Sequence, residues 1–274
     1  MPELPEVETI RRIIEPQTRG QKILSVELPT PQIIAHPAPE AFSELLTGKT
    51  ISGMGRRGKF LWLELEGRDR AVFHLRMTGL PLVTPTDYPL AKHTHLILNL
   101  SNGNQFRYED QRRFGRFWYI RADEQDTFTG LNKLGIEPDD PALTADYLKS
   151  KLAKRKKPIK EMLHDQSIVA GIGNIYSDEI LFAAHVYPEK LCTLLTDEEW
   201  DCLAKTIPEI IAWGIDLEDL TPAEYLAGGG KEYRNAEYLR AYGREGTPCA
   251  RCGTIMERIK VGGRSSCYCP ACQK

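Results

Sequence analysis

Residue 2 of this chain is a proline. If Met1 is removed, its nitrogen becomes a free secondary amine of pKa near ~8, against ~10.4 for a lysine side chain. About a tenth of such amines are unprotonated at pH 7, far more than of lysines. A free secondary amine can attack C1′ of a sugar and form a cationic imine. That chemistry needs carboxylates close by, to protonate the sugar ring or its leaving group and to manage later proton transfers. Glu3 and Glu6 supply them around the start of an amphipathic helix, where they can share one surface near the amine. A second reading stays open, because a helix N-terminus favours acidic residues through its dipole alone.

The other chemistry-bearing group lies at the far end. Cys249-Ala-Arg-Cys252 and Cys269-Pro-Ala-Cys272 are two C-x2-C pairs. Two such knuckles on a β-hairpin bring four thiolates around one tetrahedral zinc. The metal gives folding energy that so short a segment cannot obtain from apolar burial. With four sulfur ligands the site has no open position, so the expected ion is single and structural. Cys267 shares the strand of Cys269 but finds the coordination filled, and Cys192 and Cys202 read as small core residues. Between the knuckles, Lys260-Val-Gly-Gly-Arg264 reads as the hairpin tip, from which Arg264 can reach a phosphate with both guanidinium nitrogens.

Composition narrows the setting. Hydrophobic residues at 41% and charged residues at 27% exclude a disordered chain. No apolar run approaches the ~18 residues that span a bilayer. The acidic amino end lacks the apolar stretch of a secretion signal. A cytoplasmic, reducing location is expected, with the seven cysteines free or metal-bound rather than disulfide-paired. Net charge is −2, so its distribution matters more than its sum. Lys149, Lys151, Lys154, Arg155, Lys156, Lys157 and Lys160 form a run with no acid before Glu161, whereas 196–224 is acidic. The run fits a polyanion-binding face or simply a solvated helix surface.

Elements must position these groups. Val7, Ile10, Ile13 and Ile14 fall at helical spacing, which predicts a helix over 5–15 stopped by Pro16. Lys22–Leu28, Thr50–Met54, Lys59–Glu66, Ala71–Met77, His93–Leu100, Gln105–Tyr108 and Arg116–Arg121 read as strands, with a hairpin at Ser101-Asn-Gly-Asn104. Gly135, Pro138 and Pro141 mark a change of composition. Beyond them 144–154, 158–164, 174–184, 196–213 and 221–226 read as helical. The expected fold is α+β: a catalytic N-terminal β-sandwich with a leading helix (1–132), a linker (133–150), a helical domain (151–239) and a zinc finger (240–274).

With these motifs in view the sequence resembles the formamidopyrimidine-DNA glycosylase and endonuclease VIII family nearly end to end. The matches run in order: Pro2-Glu-Leu-Pro-Glu-Val-Glu8, Arg57-Gly-Lys59-Phe60, His74-Leu-Arg-Met77-Thr-Gly79, Asp110-Gln-Arg-Arg-Phe-Gly115, Asp165-Gln, Gly171-Ile-Gly-Asn-Ile-Tyr176 and Tyr242-Gly-Arg244. Leu4 at the amino end is similar to the formamidopyrimidine branch. The resemblance implies a bifunctional glycosylase and abasic-site lyase. It would remove oxidised or ring-opened purines through a Schiff base on Pro2, then carry out β,δ-elimination. Glu3 would be the proton donor, with Lys59 serving β-elimination and Arg264 serving δ-elimination.

The same resemblance implies DNA contacts. His74, His93 and Lys156 would touch the backbone, and Arg113 would grip it. Met77, Arg112 and Phe114 would fill the void left by the extruded nucleotide. Gly171–Asn174 would be the turn of a helix–two-turn–helix, where glycines admit a close approach and Asn174 cradles a phosphate together with the next helix's amides. The expected partner is double-stranded DNA carrying damaged bases or abasic sites, bound in a cleft by a monomer. A bacterial, nucleoid-associated protein is implied.

One segment departs from the family. Where members that bind oxidised purines carry Gly-x-x-Gly-x-Phe, this chain has Gly228-Gly-Gly-Lys-Glu-Tyr-Arg-Asn235. The lesion preference therefore stays open, and the same chemistry on oxidised pyrimidines is the alternative. A non-catalytic damaged-DNA-binding module and a metal-dependent nuclease are the remaining readings.

Overall fold

The computed structural model describes residues 1–217, 220–230 and 237–274, and the chain divides into two compact units. The first contains Met1–Pro2, Glu6–Asn132 and residues 220–230. Its leading helix α1 (Leu4–Thr18) runs one turn further than the sequence suggests, through Pro16. Proline breaks a helix by removing a donor and crowding the carbonyl four residues back. In the last turn this disturbs little, and Gln17 and Thr18 side chains hydrogen-bond the carbonyls of Ile13 and Ile14.

Two sheets follow. One orders β1 (Ile23–Glu27), β7 (Thr94–Leu100), β8 (Asn104–Asp110) and β6 (Gly79–Pro85). The other orders β2 (Ile34–His36), β9 (Arg116–Ile120), β5 (Arg70–His74), β4 (Phe60–Leu65) and β3 (Ile51–Arg57). The expected sandwich forms, and the Ser101–Asn104 turn joins β7 to β8 with Gly103 at φ +83°. The sequence did not reveal β2, α2 (Pro39–Leu46) or β6, all punctuated by proline. Pro81 is admissible because β6 is an edge strand. The expected strand Ala71–Met77 ends at His74, and Met77 lies in the turn before β6.

The sandwich core is aromatic. Phe73 stacks on Phe117 at 5.1 Å, while Tyr108 and Phe106 of the opposite sheet meet this pair edge-on. Ile10 and Ile14 of α1 and Phe42 and Leu46 of α2 complete it. Helix α7 (Pro222–Ala227) packs on β6, with the Tyr225 hydroxyl donating to the Pro81 carbonyl at 3.2 Å.

The second unit takes in Glu3–Pro5, residues 133–217 and residues 237–274. Helices α3 (Ala145–Leu152), α4 (Ile159–Leu163), α5 (Asn174–Ala183) and α6 (Asp197–Leu217) lie where sequence periodicity puts them. Part of α3 falls inside the stretch expected as a linker. Leu148, Ile159, Tyr176, Ile180, Trp200 and Ile207 are among their shared core. A Cβ on Gly214 would lie 2.4 Å from the Tyr176 ring, so glycine lets α6 pack flat against that side chain. The chain ends in the hairpin β10 (Glu257–Val261) and β11 (Arg264–Tyr268).

Candidate catalytic and DNA-binding residues

Residues Glu3–Pro5 are built into the second unit. Glu3 is 3% exposed, and its carboxylate accepts the Ile175 amide at 2.8 Å and the Tyr176 amide at 3.2 Å. The Leu4 amide donates to the Gly171 carbonyl at 3.1 Å. A Cβ on Gly173 would stand 2.3 Å from the Glu3 carboxyl carbon, and one on Gly171 would stand 2.5 Å from Leu4. Gly171 also sits at φ +93°, open chiefly to glycine.

The Gly171–Asn174 turn, expected to cradle a phosphate with Asn174 and the α5 amides, already engages two of those amides within the chain. Its glycines admit the chain's own amino end, and two of the α5 amides serve Glu3 rather than an outside anion. The free positive end of a helix attracts whichever anion is nearest, and here that is residue 3. Asn174 lies at the start of α5, with its Oδ1 buried and without a hydrogen-bond partner among the described residues.

Within the first unit, Glu6 is buried in the first turn of α1 and Pro2 is partly exposed. Lys59 is buried in the two-residue turn between β3 and β4, with Gly58 at φ +53°. Glu8, which the sequence reading passed over, braces that turn. It accepts Arg11 and Arg12 at 2.9 Å and Arg56 at 3.0 Å, and Arg56 reaches the Gly58 carbonyl at 3.4 Å. Burial alone would raise the Glu8 pKa, but the three arginines outweigh it and hold the group down at about 2. Its spacing from Arg11 and Arg12 on one helix face was the available signal.

His74 pairs in register with Phe60, the residue after Lys59, and meets its ring edge-on. Nδ1 accepts the Arg76 amide at 2.9 Å, which leaves the proton on Nε2. Burial, then the charges of Arg76 and Lys59, depress its pKa to about 3. His74 is therefore neutral at physiological pH and can only offer a phosphate an N–H. His93 is half-buried at the entry to β7.

Met77, Arg112 and Phe114 come together although they belong to two loops. Met77 and Phe114 are 45% and 46% exposed. The Arg112 guanidinium lies 4.6 Å over the Phe114 ring and donates to the Met77 sulfur at 3.0 Å. Arg76 and Arg113 hold φ of +56° and +54°, each strained by about 1–2 kcal/mol for a side chain with a Cβ. Two such residues flanking an exposed apolar pair mark loops shaped for a purpose.

In the second unit the four cysteine sulfurs lie within 4.8 Å of one another, with Cys252 and Cys269 at 3.5 Å. Tetrahedral zinc at 2.3 Å from each sulfur needs them about 3.8 Å apart, so the group fits the ion. Cys267 stays outside it, its amide donating to Asp178. Arg264 is exposed at the hairpin tip beyond Gly262 and Gly263, both at positive φ.

The basic run divides. Lys149 pairs with Asp197 and Lys157 with Glu161, while Lys160 is buried against Asp178 at 2.5 Å. Lys160 is thus no phosphate ligand. With Asp178 it clasps the hairpin, donating to the Ser265 carbonyl at 3.0 Å, while Asp178 accepts Ser266 at 2.6 Å. Burial pushes Lys160 down and Asp178 up, against their mutual attraction. Next to it, buried Glu179 accepts the amides of Arg240, Ala241 and Tyr242. Adjacent acids inside an otherwise apolar helix were the missed signal. Lys151, Lys154, Arg155 and Lys156 remain exposed.

Exposed cations, an exposed Met–Arg–Phe trio and a four-cysteine hairpin with an arginine tip are features of a DNA-repair glycosylase. Residues 1–117 match the Formamidopyrimidine-DNA glycosylase N-terminal domain, 134–223 its H2TH domain, and 246–274 the zinc finger found in FPG and IleRS. A Formamidopyrimidine-DNA glycosylase of Pelotomaculum thermopropionicum is 45% identical, covering 100% of this chain and 99% of the relative. Lactococcus lactis Fpg complexed with FAPY-dG DNA superposes with TM-score 0.90 at 38% identity over 99% of this chain and 100% of that one. The same protein with DNA containing an oxidised pyrimidine gives 0.91 at 38% over 100% of both. The chain belongs to the formamidopyrimidine-DNA glycosylase family, and its cysteines hold one structural zinc.

Proposed function

We propose that this chain is a bifunctional glycosylase of base excision repair, acting on oxidised or ring-opened purines with the Pro2 amine as nucleophile. The observation that carries this is the fixed carboxylate of Glu3, pinned by two helix amides directly beside residue 2 in the chain. The amine adds to C1′ of the extruded nucleotide, the base leaves with a proton, and an imine remains. Glu3 and Glu6 are the carboxylates available for these transfers. Lys59 serves loss of the 3′ phosphate and Arg264 loss of the 5′ phosphate, leaving a one-nucleotide gap.

Met77, Arg112 and Phe114 form the wedge. Arg113, His74, His93, Lys156 and Asn174 bind backbone. Zinc holds the hairpin that carries Arg264 and takes no part in bond making. The divisions 1–132, 133–150, 151–239 and 240–274 remain our assignment, as do a monomeric state and a cytoplasmic, nucleoid-associated location. No helix among the described residues is long and apolar enough to cross a membrane.

Oxidised pyrimidines are the second reading. The Lactococcus lactis relative has been crystallised with such DNA, and the 228–235 segment departs from the purine-type pattern, although residues 231–235 lie outside the described residues. Single-turnover excision from matched duplexes carrying a ring-opened purine, an oxidised purine or an oxidised pyrimidine decides. Faster loss of the purines supports the first reading, and faster loss of the pyrimidine replaces it with the second.

A further inference from the structure

Two loops of the first unit, 75–78 and 111–115, carry Met77, Arg112 and Phe114, and one buried carboxylate joins them. We propose that Asp110 is the positioning residue of the wedge, setting where the three side chains stand without itself touching DNA. The inference rests on the wedge reading given above.

Asp110 is 0% exposed. Its Oδ1 accepts the Thr78 hydroxyl from one loop and the Arg112 amide, at 3.1 Å, from the other. Its Oδ2 accepts the Gly115 amide at 2.8 Å and lies 3.5 Å from the Tyr108 hydroxyl. The Thr78 hydroxyl oxygen also accepts the Arg112 amide at 3.1 Å, closing a small ring of bonds between the loops. The backbone of Asp110 is held as firmly. Its carbonyl accepts the Arg113 amide at 3.2 Å and His95 Nε2 at 2.9 Å. A carbonyl only accepts, so His95 carries its proton on Nε2, and Nδ1 takes the Thr30 hydroxyl at 2.8 Å.

Packing leaves this arrangement no slack. A Cβ on Gly115 would stand 1.7 Å from the Tyr108 hydroxyl, and one on Gly79 would stand 2.1 Å from it. Apart from the Tyr108 hydroxyl, the groups around the carboxylate belong to the loops rather than to strand ladders. The network therefore fixes loop shape more than sheet pairing.

Asp110→Asn keeps the size of the side chain and replaces one oxygen by a donor. Wherever the new NH2 group points, it opposes the amide of Arg112 or of Gly115, and one loop amide loses its acceptor. Thr78→Val removes the other link while leaving Asp110 and the side-chain volume in place. Both variants, with Met77→Ala and Phe114→Ala beside them, are measured in two assays. One is single-turnover excision from a fully paired lesion duplex containing 2-aminopurine beside the lesion. The other is borohydride trapping on a single-stranded abasic oligonucleotide, which needs no wedge.

The expected result is a duplex excision rate lower by on the order of 10- to 100-fold, with a slowed 2-aminopurine rise, in all four variants. For Asp110→Asn and Thr78→Val, single-strand trapping stays within about twofold of the parent. Loss confined to Met77→Ala and Phe114→Ala overturns the role of Asp110 and leaves the wedge standing. Unchanged duplex excision in those two removes the wedge reading and this inference with it. Should Asp110→Asn fail to fold, Thr78→Val decides alone, and parent-like duplex excision there overturns the proposal.

Discussion

At the scale of single residues, charge state is set by neighbours. His74 has a folded pKa of about 3 against an ordinary 6.5, so the folded protein resists its protonation. Its contribution to stability is complete above pH 6.5 and is lost as pH falls toward 3, with a slope of about 1.4 kcal/mol per pH unit in that window. Thermal melts from pH 7 to pH 4 should show this slope, and His74→Gln should flatten it. An equal slope in the variant would mean that His74 is not held neutral. Lys156 and Lys160 separate by environment in the same way. Lys156→Ala should lower the salt dependence of duplex binding by about one counterion without altering the melt. Lys160→Ala should cost about 3–5 kcal/mol in a urea titration, because it strands the buried Asp178 charge. A Lys160→Ala protein as stable as the parent would contradict the clasp.

At the scale of elements, the turn before α5 does something its pattern did not disclose. Its Gly-Ile-Gly-Asn order fits a backbone approached closely, and sequence alone could not say by what. The approaching group is Glu3, remote in the chain, and only the fold brings the two together. Gly173→Ala should therefore slow imine trapping on an abasic duplex by on the order of 10- to 100-fold, through displacement of Glu3. Duplex affinity, measured by anisotropy, should change little. The opposite split, weak binding with normal trapping, would mean that the turn's glycines serve phosphate contact rather than the placing of Glu3. Much else at this scale was legible. Periodicity found the helices, and Asn-Gly found the β7–β8 hairpin. Proline hid α2 and β6, because Pro39 opens a helix as readily as it ends one, and Pro81 is tolerated only on an edge that sequence cannot reveal. The roles of Asp110, Asp178 and Glu179 could not be assigned for a related reason. A buried carboxylate is identified by the donors around it, and those donors come from other elements.

At the scale of the whole molecule, each end of the chain depends on a feature that the long middle cannot supply. The carboxyl end depends on metal: so short a hairpin has little apolar interior, and zinc binding is its folding energy. Elemental analysis should find one zinc per chain. Cys269→Ser should lower zinc content and duplex affinity together. Brief EDTA treatment of the parent, too short to strip zinc, should leave cutting intact, and immediate loss would favour a metal-dependent nuclease. The proposed role of Pro2 depends on removal of Met1, because the lone pair of a proline nitrogen inside a peptide bond is delocalised into the carbonyl.

The central claim is tested most directly by reducing the enzyme–abasic DNA complex with borohydride and sequencing the cross-linked peptide by mass spectrometry. The account expects a peptide that begins at Pro2 and carries deoxyribose on its α-nitrogen. A cross-link on any lysine, or full turnover by protein that still bears Met1, would contradict it.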